Sequence, residues 1–299
     1  MFAGAASVMG VRTAQAEPVS PTFAPVVVAK TPRPTTGVAT VPSGGVDLWQ
    51  GPEREPYFRL HEGMSLGFMH RTDEWLLVTT SCNDTAWVRA DDVVVQDRHE
   101  SQATGPGFDL TEAVVVLDPG HGDRDWGGVG PSGLSEKAVN LDIAVRVREL
   151  MSVSHDVDWE TGAITSGRDV SALGSVILTR DVIGPNGGDF EAGLGYRATI
   201  ATGAGADALV SIHNNTVPQN DTSIPGSEVY YSIGSAGSDR LAGLIYEELL
   251  RSFENFEADW KGGELLGARA RIDPDTGDDY YGLLRRATMP AVIVEGLYI

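Results

Sequence analysis

Cysteine is almost missing: Cys82 is the single thiol among 299 residues, so no disulfide can close inside the chain and stability must rest on packing. Positive charge is scarce as well, with 22 Lys and Arg against 42 Asp and Glu, a formal net charge of −20. A surface of that sign repels phosphate backbones and anionic lipid, which argues against a nucleic-acid partner. No run of about 18 apolar residues occurs, so no segment reads as a membrane span. Familiar catalytic signatures are missing too: there is no His-Glu-x-x-His helix, no Gly-x-Ser-x-Gly elbow, and neither a Gly-x-Gly-x-x-Gly nor a Walker loop.

What is present divides the chain by its alphabet. Within residues 1–16, Phe2 to Val11 is short, apolar and rich in small residues, and Ala14-Gln15-Ala16 before Glu17 has the small-x-small form of a signal-peptidase site. This reads as the tail of a secretory signal whose start lies upstream, and it predicts an exported protein. Residues 17–44 mix Pro, Thr, Val and Ala without period, the pattern of a disordered linker. Short alternating stretches over 45–96, separated by turn residues, predict a small β barrel. A second linker is expected at 97–111.

From 112 to 299 the pattern becomes α/β. Buried strands are expected at 113–118, 175–180, 207–212, 227–232 and 290–295, and helices at about 136–152, 196–203 and 236–255. Such alternation predicts a mostly parallel twisted sheet flanked by helices on both faces. In the first helix Ser135 is expected as the N-cap, with Val139, Ile143, Val147 and Leu150 as a buried aliphatic stripe.

Four side chains stand at element ends in this half. His121 follows the run 113–117 within Asp118-Pro119-Gly120-His121-Gly122, Glu136 opens the first helix, His213 ends 208–212, and Glu295 ends 291–294. Ends of parallel strands are where α/β enzymes keep their chemistry. A carboxylate such as Glu295, directly after four buried aliphatics, costs several kcal/mol if left dry and unpaired, so it calls for a partner or a function. Two imidazoles and two carboxylates meet the count for a zinc hydrolase, in which three side chains hold the metal and a further carboxylate takes the proton of water.

Two resemblances sharpen this reading. Leu48-Trp49-Gln50-Gly51-Pro52, Trp75 and Trp87-Val88 resemble the turn and tryptophan positions of bacterial SH3-like domains, with Trp49 and Ala86 departing from the usual residues. From about Val114 onward the chain resembles the zinc-dependent N-acetylmuramoyl-L-alanine amidases of the type 3 family. The resemblance is carried by Leu117 to Gly122, by Gly127 to Lys137 with Asn140-Leu141, and by Leu178-Thr179-Arg180-Asp181. Arg197-Ala198, Ser211-Ile212-His213-Asn214-Asn215 and Met289 to Glu295 complete it. It implies one zinc ion held by His121, Glu136 and His213, with Glu295 as the catalytic carboxylate. It also implies hydrolysis of the amide between the muramic lactyl group and L-alanine in peptidoglycan, a structural role for Arg197, and wall tethering by the SH3-like part. A zinc peptidase acting on wall peptides and a catalytically silent wall-binding protein are the alternatives.

The sequence departs from that family in two ways. It stops four residues after Glu295, so a C-terminally truncated domain lacking a closing helix is expected. The stretches 152–174 and 253–281 are longer than the compact core requires, and the second is expected to shape the peptide groove or cover the metal.

Overall fold

The computed structural model describes residues 36–52, 54–60, 62, 64–79, 85–98, 109–122, 124–158, 160–180, 193–216, 226–253 and 267–299. The expected signal, residues 17–35 of the first linker, Cys82 and Asp181 lie outside them.

The strands Gly37–Thr40 (β1), Val46–Trp49 (β2), Pro56–Leu60 (β3), Ser65–Arg71 (β4), Trp75–Thr79 (β5), Thr85–Arg89 (β6) and Val94–Asp97 (β7) form one antiparallel sheet in the order β3-β2-β6-β5-β4-β1-β7. β1 corrects the linker expected at 17–44. Val38, Ala39 and Val41 are buried, and the strand pairs with β4 on one side and β7 on the other. Its alternation is hidden in the sequence by a neighbourhood rich in proline and threonine. Trp75 is buried, and Trp49 packs against it edge-on at 5.5 Å with Arg89 over both rings.

The second half runs Val114–Pro119 (β8), Glu136–Met151 (α1), His155–Asp158 (β9), Ala163–Ser166 (β10), Ser175–Leu178 (β11), Leu194–Ala204 (α2), Ala208–Asn215 (β12), Glu228–Tyr231 (β13), Ala236–Phe253 (α3), Gly267–Arg269 (β14) and Ala291–Tyr298 (β15). Six of these strands form a sheet in the order β11-β8-β12-β15-β13-β14, and β9 pairs with β10 as a separate hairpin. The sheet is mixed. β11, β8, β12 and β15 run parallel, whereas β13 pairs antiparallel with β15 and carries β14 parallel beside it. The hairpin occupies part of the long stretch 152–174, and His155 bonds the Leu150 carbonyl there at 2.6 Å.

The period of two along each strand sorts the faces. Val115, Leu117, Ile212, Val292 and Val294 face α1 and α3. Val114, Val116, Leu209, Ala291 and Ile293 face the other way, into a core shared with α2 and with the buried residues of the first sheet. The linker expected at 97–111 therefore does not separate two free bodies. Tyr196 of α2, 1% exposed, donates its hydroxyl to the Ser65 carbonyl of β4, and Ser175 bonds Gln96 at 3.3 Å. Burying α2 against apolar side chains of both sheets is what unites them.

α1 differs from its expectation in two details. Its buried residues are Glu136, Lys137, Asn140, Leu141 and Ala144, while Val139, Ile143 and Val147 are half-buried and Leu150 is exposed. Ser135 stands at the N-cap position but its hydroxyl makes no capping bond. The first N–H groups are instead taken by loop carbonyls, Glu136 donating to Gly128 at 2.8 Å and Lys137 to Trp126 at 3.3 Å. Loop 126–128 is thereby fixed against the helix end that carries Glu136.

Candidate metal centre

The site grows from the turn after β8. Asp118 is buried and ion-paired to Arg197 of α2 at 2.7 Å, and it accepts from the Thr179 and Ser211 hydroxyls at 2.5 and 2.7 Å. Burial pushes its carboxyl up, but Arg197 and the two hydroxyls together hold it down at about 2. Two buried arginines then clamp the backbone that follows. Arg197 donates to the carbonyls of Pro119 and His121 at 2.8 and 2.6 Å, and Arg180 to those of Pro119, Gly120 and Lys137 at 2.8 to 2.9 Å. This clamp holds His121 at φ 62°, the one non-glycine residue with positive φ among the described residues. A left-handed non-glycine residue stores backbone strain, which this clamp holds in place.

His121, Glu136 and His213 meet there, with one donor atom from each lying within 4.8 Å of the others. Glu136 is 4% exposed; its Oε2 is 3.0 Å from His121 Nε2 and its Oε1 is 3.1 Å from His213 Nδ1. The backbone N–H groups of Gly128 and Asn214 donate to the same carboxylate at 2.8 and 3.1 Å. Burial opposes its ionisation, yet the two imidazoles and the Gly128 N–H hold its pKa well below the usual range. Asn140 completes the support, donating to Glu136 and to the Gly120 carbonyl while accepting from Asn214.

The room for these groups is made by glycine. A Cβ on Gly120 would lie 2.2 Å from His213 Nε2, and one on Gly127, at φ +64°, would lie 2.4 Å from Glu136 Oε2. Only hydrogen at these two positions lets the three ligand-type side chains converge.

Sequence reasoning missed Asp125. Its Oδ2 lies 2.9 Å from His121 Nδ1, so both ring nitrogens of His121 face carboxylates, and these outweigh burial to raise its pKa. A carboxylate on the far nitrogen fixes which nitrogen is free to bind a metal. The donor set therefore fits a divalent cation. It comprises an ionised carboxylate and two imidazoles, with ring nitrogens 3.0 and 3.1 Å from the carboxylate oxygens.

Glu295 stands beside His213 in the register of β12 and β15. Among the described residues its Oε2 is buried without a hydrogen-bond partner. Burial raises its pKa to about 7, with Glu136 and Glu228 adding to the effect and His213 opposing it. Glu228, also missed, lies opposite Glu295 on β13 and is paired to Arg269, with Tyr230 and Asn215 donating to it. In the sequence it follows Pro225-Gly226-Ser227 and opens the short run Val229-Tyr230-Tyr231, so it lacks the signal that marked Glu295. An open cavity of about 300 Å³ reaches His121 and His213 and is lined also by Leu194, Tyr281, Gly282 and Leu283.

Residues 115–299 match the sequence pattern of a family described as N-acetylmuramoyl-L-alanine amidase. The chain belongs to that family. The amidase LytC of Bacillus subtilis is 34% identical over 188 residues, which make up 62% of this chain and 29% of LytC. The germination-specific amidase of the same organism is 31% identical over 154 residues, 49% of this chain and 56% of the relative. The chain thus spans well under two thirds of the length of these relatives. The solved amidase AmiC2 of Nostoc punctiforme is 30% identical across 62% of this chain and 79% of its own, with a TM-score of 0.41. The amidase pattern begins at β8 and includes all four strand-end and helix-end residues singled out from the sequence.

Proposed function

We propose that the protein is a zinc-dependent N-acetylmuramoyl-L-alanine amidase, hydrolysing the amide between N-acetylmuramic acid and the L-alanine of the peptide stem in peptidoglycan. The observation that carries this reading is the convergence of His121, Glu136 and His213 beside the unpartnered Glu295 oxygen. His121, Glu136 and His213 would hold one zinc ion. Zinc supplies a Lewis acid that polarises the amide carbonyl and makes water more acidic. Glu295 takes the water's proton and returns it to the leaving amine, a task suited to a carboxylate with an oxygen that has no hydrogen-bond partner among the described residues. Asp118, Arg180 and Arg197 hold the His121 turn, and Asp125 holds the His121 ring.

In the same reading the protein acts outside the cell on the wall, and the first sheet is an SH3-like module that contacts it. The test is mass analysis of digested muropeptides together with metal analysis. Release of the whole stem is expected of an amidase, and removal of a single amino acid would instead assign a peptidase. Glu295→Ala should keep zinc and lose turnover by about two orders of magnitude or more; retained turnover would remove its role as base.

A further inference from the structure

Four arginines, Arg269, Arg271, Arg285 and Arg286, fall within a short stretch of an otherwise acidic chain. Three are committed to the protein itself. Arg269 pairs with Glu228, Arg285 bonds the carbonyls of Asp279 and Tyr280, and Arg286 bonds that of Gly282. Arg271 is different. It is exposed, its guanidinium lies 3.7 Å from the centroid of the Tyr280 ring, and its Nη1 donates to the Tyr281 hydroxyl at 3.2 Å. No carboxylate pairs with it among the described residues, although Asp273, Asp275 and Asp278 are close in sequence.

Tyr281 links this cation to the site. It lines the cavity that reaches both histidines, and its ring packs on Tyr230 at 4.8 Å. The segment that carries Arg271 is held in place. Asp279, 5% exposed, accepts from the Ser232 hydroxyl and the Ile233 N–H at 2.7 and 2.8 Å, and the Tyr280 N–H closes onto the Arg271 carbonyl at 2.8 Å. A guanidinium stacked on an aromatic ring, with planar donors left over, is prepared to bind a carboxylate in a fixed direction.

We infer that Arg271, with the Tyr281 hydroxyl, binds a carboxylate of the acidic peptide stem and makes the enzyme select stems with free carboxylates over amidated ones. The inference rests on the amidase reading and adds the part of the substrate that is recognised. In an enzyme of net charge −20, an anionic stem needs such a local cation.

The experiment compares muropeptides with free and with amidated stem carboxylates, using the full-length protein and the variants Arg271→Gln, Arg271→Lys and Tyr281→Phe. The wild type should favour the free acid by about ten-fold in kcat/KM, through KM, as one charge-assisted hydrogen bond allows. Arg271→Gln should bring the ratio near one, with Arg271→Lys and Tyr281→Phe intermediate. Equal use of both substrates by the wild type, or an unchanged ratio in Arg271→Gln, overturns the inference. Calorimetric binding of the free stem peptide gives a readout independent of turnover. If the wild type hydrolyses neither substrate the amidase reading fails, and loss of peptide binding in Arg271→Gln then sustains the carboxylate site while equal binding ends it.

Discussion

Asp125 touches only the far side of a ring, yet it decides how His121 presents itself. With Nδ1 held 2.9 Å from a carboxylate, the imidazole is fixed in orientation and its Nε2 is kept on the side of Glu136. Asp125→Asn should weaken zinc binding by about 10- to 100-fold, measured by competition with a chelating dye. Glu295 gives a second prediction, for the metal-free protein. Its pKa in the folded chain is about 7 against an ordinary 4.5, so the folded state holds the proton more tightly than the unfolded chain. Its contribution to stability is therefore full below about pH 4.5 and is lost as pH rises through about 7. Glu295→Gln should remove that slope, leaving the variant more stable than wild type at pH 8 by about 1 to 2 kcal/mol after allowance for residual solvent access. Denaturant titration at pH 5 and pH 8 measures it, and equal differences at the two values would contradict the assignment. His121, His213 and Glu295 were visible in the sequence because each follows an apolar run, and Glu136 because it opens an amphipathic helix. Asp125 lies in an aperiodic, glycine-rich loop where an acid gives no such signal.

At the scale of elements, the site depends on three ends meeting: the turn after β8, the first turn of α1, and the end of β12 beside β15. Gly120 sits where they meet. Gly120→Ala would drive a methyl into the His213 ring, so His213 must leave its position or the clamped turn must open. Zinc content should fall to a small fraction of one equivalent while the circular dichroism spectrum is kept, and an alanine variant that loads zinc normally would refute the steric argument. The strands of the second sheet were legible since burial on both faces leaves continuous aliphatic runs. β14 and the β9–β10 hairpin were not, for they are short and set among Gly, Asp and Thr. α1 was legible in extent but not in facing. Its polar residues Glu136, Lys137 and Asn140 are buried because the loop and the site cover them, a tertiary effect that periodicity does not encode.

For the whole molecule, the decisive contact is between halves that the composition separates. The amidase pattern begins at 115, close to the change of alphabet near residue 112. Yet one core cluster includes Leu66 and Phe68 of the first sheet together with Tyr196, Ala198 and Ile200 of α2. A linker-like composition reports on the connection and says nothing of the surfaces on either side of it. We expect a single calorimetric transition for both sheets, with Tyr196→Ala lowering it as one by about 3 kcal/mol or more, as loss of a large buried aromatic does. Two resolved transitions would show that the halves unfold apart.

Tyr196 and Arg197 are neighbours on α2, one seated in the first sheet and the other gripping the carbonyl of His121. For protein engineering this makes α2 a shared beam. Cutting the chain at 97–111 to join the amidase-family half to a different protein would strip the cover from Tyr196 and leave the helix that braces the His121 turn facing water. A working graft therefore has to carry the first sheet along or give α2 a new apolar partner.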